Sequence, residues 1–373
     1  MDRAPLYVAK PLLPNVVDMH AMVSQIWQSG VVTNHGPLHE QLERRLVTEL
    51  GAPTVKLFNN GTIALLAALK MFDLPRGSEV ITTPLTFAAT AHSIAWNGLK
   101  PVFVDVDARS WTLDPHSVQA AINQNTSAIL GVHVYGNVCD LQSLENLANK
   151  NSLKLIYDAA HAFGVEVNGK GIGNFGDATM FSFHATKLFN TIEGGALTTP
   201  NATDSQKIYM LRNFGIKNED EVIDIGLNGK MNELQAAVGL ANLEIYRHEM
   251  LKRSSLRKSY NELLSDLPGI HIQLNQDGVS RSEQYYPIRI IAEEFGRSRD
   301  QIYDELKKVN IFSRKYFHPI CTDFEPYKNE KIISILDVPN ASILKNQVLC
   351  LPFHSGVSEE HIEMIAKIMK QNS

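Results

Sequence analysis

The segment Phe181-Ser182-Phe183-His184-Ala185-Thr186-Lys187-Leu188-Phe189-Asn190-Thr191-Ile192-Glu193-Gly194-Gly195 holds a single lysine among apolar and aromatic neighbours. Ahead of it the alternating apolar run Ala178 to Phe183 predicts a strand that carries Ser182 to its end, and the polar turn that follows sets Lys187 just beyond. The end of such a strand is where an α/β fold keeps its chemistry. A lysine amine becomes a useful nucleophile when desolvation or neighbouring positive charge lowers its pKa, and Phe181, Phe183, Leu188 and Phe189 give this one an apolar setting. The plain alternative is an ordinary surface lysine on a loop. Upstream, Leu153 to Ile156 predicts a buried strand that runs into Tyr157-Asp158-Ala159-Ala160-His161, so an acid emerges from an apolar run. A strand-end carboxylate and a strand-end lysine together favour the chemical reading.

Strand and helix patterns alternate outward from this pair. Thr54 to Phe58 predicts a strand, Asn59-Asn60-Gly61-Thr62 a turn, and Ile63 to Met71 a helix. A strand that turns through glycine into a helix presents free N–H groups and the positive end of the helix dipole, which suits a phosphate. Gly61 and Thr62 are therefore candidate ligands, with simple capping as the alternative. Glu79 to Thr82 predicts the next strand, and Phe87 falls in the first turn of a helix that ends near Asn97-Gly98. Strands at Pro101 to Val104, Ala128 to Val134 and Ala196 to Thr199, with helices starting at Asp114 and Asp140, extend the alternation. The expected fold class is α/β, with a parallel-rich mixed sheet between helices. From Glu233 to about Leu264 the pattern is continuously helical; short strands then mix with helices at Arg299 to Val309 and Ser358 to Lys370. This predicts a large domain, residues 1–245, and a small α+β domain, residues 246–373. Met1 to Pro14 reads as an extended arm.

Composition excludes several functions. The 373 residues carry 35 basic and 40 acidic side chains, a net charge of −5, with no basic run to track a phosphate backbone, so nucleic acid is not expected as a partner. The three cysteines, Cys139, Cys321 and Cys350, are too scattered for a disulfide framework, and no tight His/Cys cluster predicts a metal site. Met1 to His20 has no apolar signal core, and no apolar run approaches ~18 residues. A soluble cytoplasmic protein without a membrane partner is expected.

The pairing of Asp158-Ala159-Ala160-His161 with Ser182-Phe183-His184-Ala185-Thr186-Lys187 resembles the DegT/DnrJ/EryC1/StrS family, pyridoxal-phosphate sugar aminotransferases of fold type I. Asn60-Gly61-Thr62, Thr86-Phe87, Asn228-Gly229-Lys230-Met231 with Gln235-Ala236-Ala237, and Leu351-Pro352 stand in the same order as in that family. The resemblance implies that Lys187 holds pyridoxal 5'-phosphate covalently and that Asp158 keeps its pyridine nitrogen protonated. It implies that Phe87 stacks on the ring, that His161 meets the ring hydroxyl, and that Gly61, Thr62 and Ser182 hold the phosphate. A homodimer with shared sites is implied as well, because the family's residue at Asn228 reaches the phosphate in the partner subunit.

The resemblance puts the loop that holds Asn34 at the mouth of the site, with a plain interhelical turn as the alternative; Asn34, His184, Tyr316 and His318 are the candidate substrate contacts. Two departures limit the transfer. Lys230 stands where the family usually has arginine and cannot make its planar two-point contact. The segment Tyr316 to Cys321 ends in cysteine where the family often has histidine. The implied reaction moves an amino group from glutamate to a nucleotide-linked keto-sugar, in lipopolysaccharide O-antigen biosynthesis. Around Lys187 the sequence resembles members that act at C4 of dTDP-4-keto-6-deoxyglucose; the alternatives are C3 amination of a dTDP-3-keto sugar and a UDP-linked substrate. A related sugar dehydratase would lack Lys187, a dinucleotide oxidoreductase would need a Gly-x-Gly-x-x-Gly turn that is absent, and an inactive sensory homologue would not need Asp158, Ser182 and Lys187 intact.

Overall fold

In the computed structural model, which describes residues 4–328 and 334–371, short apolar strands assemble into an eight-stranded sheet. Its spatial order is Ser334–Ile335, Lys100–Phe103, Glu79–Thr82, Thr126–Val132, Lys154–Asp158, Ala178–Ser182, Gly195–Thr198 and Lys56–Phe58. Neighbours pair in parallel except Gly195–Thr198, which runs antiparallel to both of its partners. The central strands are continuously apolar because both faces are covered. Val80 packs with Ala64, Leu65 and Ala68 of the helix Gly61–Lys70, while its neighbour Ile81 packs with Val118 and Leu144 from helices Pro115–Ala121 and Leu141–Lys150 on the opposite face. Each fully buried side chain of this kind stabilises the fold by ~1.5–3 kcal/mol.

The helices start where the sequence offers caps. Asn60, Asp114 and Asp140 accept hydrogen bonds from the amides of Ile63 (2.9 Å), His116 (3.1 Å) and Ser143 (3.0 Å). Phe87 differs from the expectation: it is the N-cap of the helix Ala88–Trp96 and has extended backbone, so it lies ahead of the first turn. A second difference is the helix Pro339–Gln347, which opens on proline and has no clear apolar stripe in its sequence. Within the expected N-terminal arm, Leu6–Tyr7 pairs in parallel with Ile311–Phe312.

The 32-residue helix Glu233–Leu264 joins two apolar cores. Its first half buries Ala236, Leu240 and Tyr246 with Leu42, Phe163 and Phe189; its second half buries Tyr260 and Leu264 against the antiparallel sheet Ile270–Ile272, Tyr286–Ile290, Val348–Leu351. No helix among the described residues is long and apolar enough to cross a membrane.

Midway along the long helix, buried Arg253 donates to Glu249 at 2.7 Å, and Glu249 also accepts the Ser355 amide at 3.1 Å. The Arg253 charge holds the Glu249 carboxyl below its usual range, although burial alone would raise it. Removing one partner of a buried pair strands the other charge. Glu249→Ala is therefore expected to lose about 3–5 kcal/mol of unfolding free energy in urea denaturation, and Glu249→Gln less. A loss under about 1 kcal/mol for the alanine variant would contradict this account of the helix.

Candidate active site

The carboxyl ends of the parallel strands converge on a cavity of about 310 Å³. Asp158 ends its strand there, buried, with Oδ2 accepting from the Thr90 hydroxyl at 2.8 Å and Oδ1 from the Ala160 amide at 3.0 Å. Burial raises the Asp158 pKa, opposed by these two donors and by the charge of Lys187. Lys187 lies beyond the strand Ala178–Ser182, in a turn closed by its own amide on the His184 carbonyl at 2.8 Å. Burial lowers its pKa to about 8, with Asp158 pulling the other way, and Nζ makes no hydrogen bond among the described residues.

The start of the helix Gly61–Lys70 forms the next wall. Asn60 spends its side chain on the cap; among the described residues the Gly61 and Thr62 amides have no acceptor and the Ser182 hydroxyl has no partner. A Cβ on Gly195 would lie 2.7 Å from the Gly61 nitrogen, so glycine there lets the strand Gly195–Thr198 run directly beneath the helix start. Phe87 stands at the cavity with 62% of its surface exposed, an aromatic face without a protein partner.

His161 closes the far side. Its Nδ1 accepts the Tyr135 amide at 3.1 Å, and burial, followed by the Lys187 charge, holds the imidazole far below its usual pKa. The ring is thus neutral with its proton on Nε2, an oriented donor. Phe317 stacks on it at 5.8 Å, and Tyr285 meets it edge-on at 5.0 Å while lying 5.8 Å from Lys187 Nζ.

Gln284, buried, grips the lysine turn from outside. Its Oε1 accepts the Leu188 amide at 2.7 Å and its Nε2 donates to the Thr186 carbonyl at 3.1 Å, so the two residues flanking Lys187 are fixed by one side chain. Arg257 in turn holds the segment around Gln284, through the Ser282 and Tyr285 carbonyls and the Glu283 carboxylate at 2.8 Å.

Of the residues singled out in the sequence, Gly61, Thr62, Phe87, Asp158, His161, Ser182, His184, Lys187 and Tyr316 all line this cavity. His184 sits at the rim, half exposed, between Thr186 (2.9 Å) and Glu193 (3.6 Å). Asn34 and Asn228 are exposed and outside the cavity, and His318 lines an adjoining groove instead. Lys230 bonds Asn213 at 2.7 Å and Asn228 at 3.2 Å. Thr90, Gln284, Tyr285 and Arg314 belong to the site and were not anticipated. Thr90 follows Thr86 at helical spacing, and the two hydroxyls do meet at 2.8 Å, a legible signal; the other three come from segments far along the chain.

The cavity fits the expected cofactor. Unpaired amides at a helix N-terminus beside a free hydroxyl suit a phosphate, an exposed phenyl face suits a pyridine ring, and a depressed lysine suits a covalent link to an aldehyde. A direct check on the turn is amide hydrogen exchange: Gln284→Ala should speed exchange at Leu188 by about 10- to 100-fold, and unchanged protection would contradict the grip described.

Residues 16–370 match the DegT/DnrJ/EryC1/StrS aminotransferase family. The chain is 42% identical over 367 residues to a dTDP-4-amino-4,6-dideoxy-D-glucose transaminase of Shigella dysenteriae, covering 98% of this chain and 99% of that protein. It is 39% identical over 372 residues to a transaminase of the same name from Escherichia coli, covering 99% of each. Among solved structures, DesI in the presence of its TDP-sugar product superposes with a TM-score of 0.93 at 33% identity, covering 99% of this chain and 93% of that one. Site and relatives agree: the chain belongs to the DegT/DnrJ/EryC1/StrS family and is a pyridoxal-phosphate-dependent sugar aminotransferase.

Proposed function

We propose that the enzyme moves the amino group of glutamate to C4 of dTDP-4-keto-6-deoxyglucose, giving dTDP-4-amino-4,6-dideoxyglucose. The observation that carries this reading is the 42% identity with the Shigella dysenteriae transaminase along almost the whole of both chains. When bound, pyridoxal phosphate supplies an electron sink for the carbon that bears the amine. The chain's own residues do the rest. The Gly61 and Thr62 amides and the Ser182 hydroxyl bind the phosphate, Phe87 covers one face of the ring, and His161 Nε2–H meets the ring hydroxyl. Asp158 holds a proton at the pyridine nitrogen, where an ionic partner offsets the burial that otherwise raises its pKa. Lys187 Nζ, neutral for a large part of the time near its pKa of about 8, takes the Cα proton of the donor in one half-reaction and returns a proton at C4 of the sugar in the other.

The working form in this proposal is a homodimer in which Asn228 of each chain completes the phosphate site of the other. Its exposure outside the chain's own cavity supports this, as do the exposed apolar side chains of Phe214, Ile223 and Ile225 on the preceding loop. The division into a cofactor domain, residues 1–245, and a smaller domain, residues 246–373, is supported by the two cores that share the helix Glu233–Leu264. A cytoplasmic place in O-antigen sugar biosynthesis completes the reading, and Asn34, His184, Tyr316 and His318 remain its proposed substrate contacts.

Incubation of the enzyme with glutamate and the 4-keto dTDP-sugar, with the product read by NMR, should place nitrogen on C4. Nitrogen on C3, or turnover of a UDP-sugar alone, would overturn the substrate assignment. Asp158→Asn should keep the cofactor but lose activity by about 10²-fold or more, since an amide does not hold the pyridinium proton. Mixing Asn228→Ala and Lys187→Ala variants should restore activity in one class of site, whereas full activity in a proven monomer would rule out shared sites.

A further inference from the structure

The backbone around Asn228 is tied down on two sides. The Asn228 carbonyl accepts Asn59 Nδ2 at 3.4 Å, the Gly229 carbonyl accepts the Asn59 amide at 2.8 Å, and the Gly229 amide donates to the Arg212 carbonyl at 2.9 Å. Gly229 is buried, and a Cβ there would meet Ile63 Cγ2 at 2.9 Å, so the segment lies tight against the helix that starts at Gly61. On its other edge Asn228 bridges Asn213 in antiparallel register. Lys230 completes the frame. Its Nζ lies over the Phe214 ring at 4.8 Å, donates to Asn213 Oδ1 at 2.7 Å and to Asn228 Oδ1 at 3.2 Å, and pairs with no carboxylate among the described residues. The Asn228 side chain is exposed, and among the described residues its amide nitrogen has no partner.

We propose that Lys230 is a positioning residue for cofactor binding: it fixes the Asn228 side-chain amide so that Nδ2 faces outward as a donor to the phosphate in the partner subunit. The inference rests on the shared-site reading above and adds to it the residue that sets the polarity of the contact. An amide can turn either end toward a neighbour, and the two ends differ little in shape. An ammonium only donates, so the atom it holds is the oxygen, and both N–H groups are left for phosphate oxygens. An outward Oδ1 would instead meet the phosphate as one acceptor against another. The same ammonium occupies the Asn213 oxygen and so keeps it from competing for the Asn228 N–H groups. The geometry also accounts for lysine at this position: two separate acceptors call for a point donor with freely rotating N–H bonds and not for a planar fork.

The test titrates cofactor-free enzyme, its oligomeric state established by sedimentation, with pyridoxal 5'-phosphate and separately with pyridoxal, which lacks the phosphate, and reads binding by absorbance. Asn228→Ala should weaken binding of pyridoxal phosphate by about 10-fold or more and Lys230→Met by about 3- to 10-fold, with pyridoxal changed by less than about 2-fold in both. Lys230→Arg, which can still only donate, should recover part of the loss. Because Lys230 acts through Asn228, the double variant should bind no more than about 2-fold worse than Asn228→Ala alone. Losses that add would assign Lys230 to direct attraction of the phosphate and overturn the proposal. An equal loss for pyridoxal, the mark of a purely structural role, would overturn it too. Full binding by Lys230→Met beside a weakened Asn228→Ala would sink the positioning role and leave the shared site standing, whereas full binding by Asn228→Ala would remove the shared site and the proposal with it.

Discussion

Burial of one amine governs this structure. Lys187 is held where desolvation lowers its pKa to about 8, opposite an Asp158 carboxyl that burial pushes upward. Neither group is comfortable alone. Each raises the favourable charge of the other, and a bound pyridinium would give Asp158 the positive partner that Lys187 surrenders once its amine is neutral. A ring that carries a proton at one end and an aldehyde at the other would partner both groups.

The fold exists to hold that arrangement still. Five strands deliver their carboxyl ends to one place, and glycine at position 195 permits the close approach that brings a helix N-terminus to the cavity wall. The lysine turn is gripped from two sides. Its own backbone closes it on His184, and Gln284 reaches in from a segment that Arg257 anchors to the long helix. Through these contacts the C-terminal third of the chain shapes a site whose proposed cofactor ligands all come from the first part.

Much of this was legible in the sequence. Parallel strands read as apolar runs, caps read as Asn or Asp ahead of a helix, and Asp158 and Lys187 announced a site because an acid and a lysine in apolar settings both fall at strand ends, where an α/β fold keeps its chemistry. What stayed hidden has a common cause. Gln284, Tyr285 and Arg314 lie about 100 residues or more beyond Lys187, and nothing local marks a glutamine or an arginine whose role is set by a contact that distant; the helix Pro339–Gln347 escaped because tertiary packing, not an apolar stripe, maintains it. Phe87 was placed one step too far along because capping depends on backbone angles that side-chain periodicity does not report.

The most direct test of the account is the ionisation of Lys187 itself. In cofactor-free protein, only the neutral amine captures pyridoxal phosphate, so the capture rate should climb with pH and level off above a midpoint of about 8. A rate that keeps climbing towards the ordinary lysine value of 10.5 would show that the amine is not desolvated as described, and the central claim would fail.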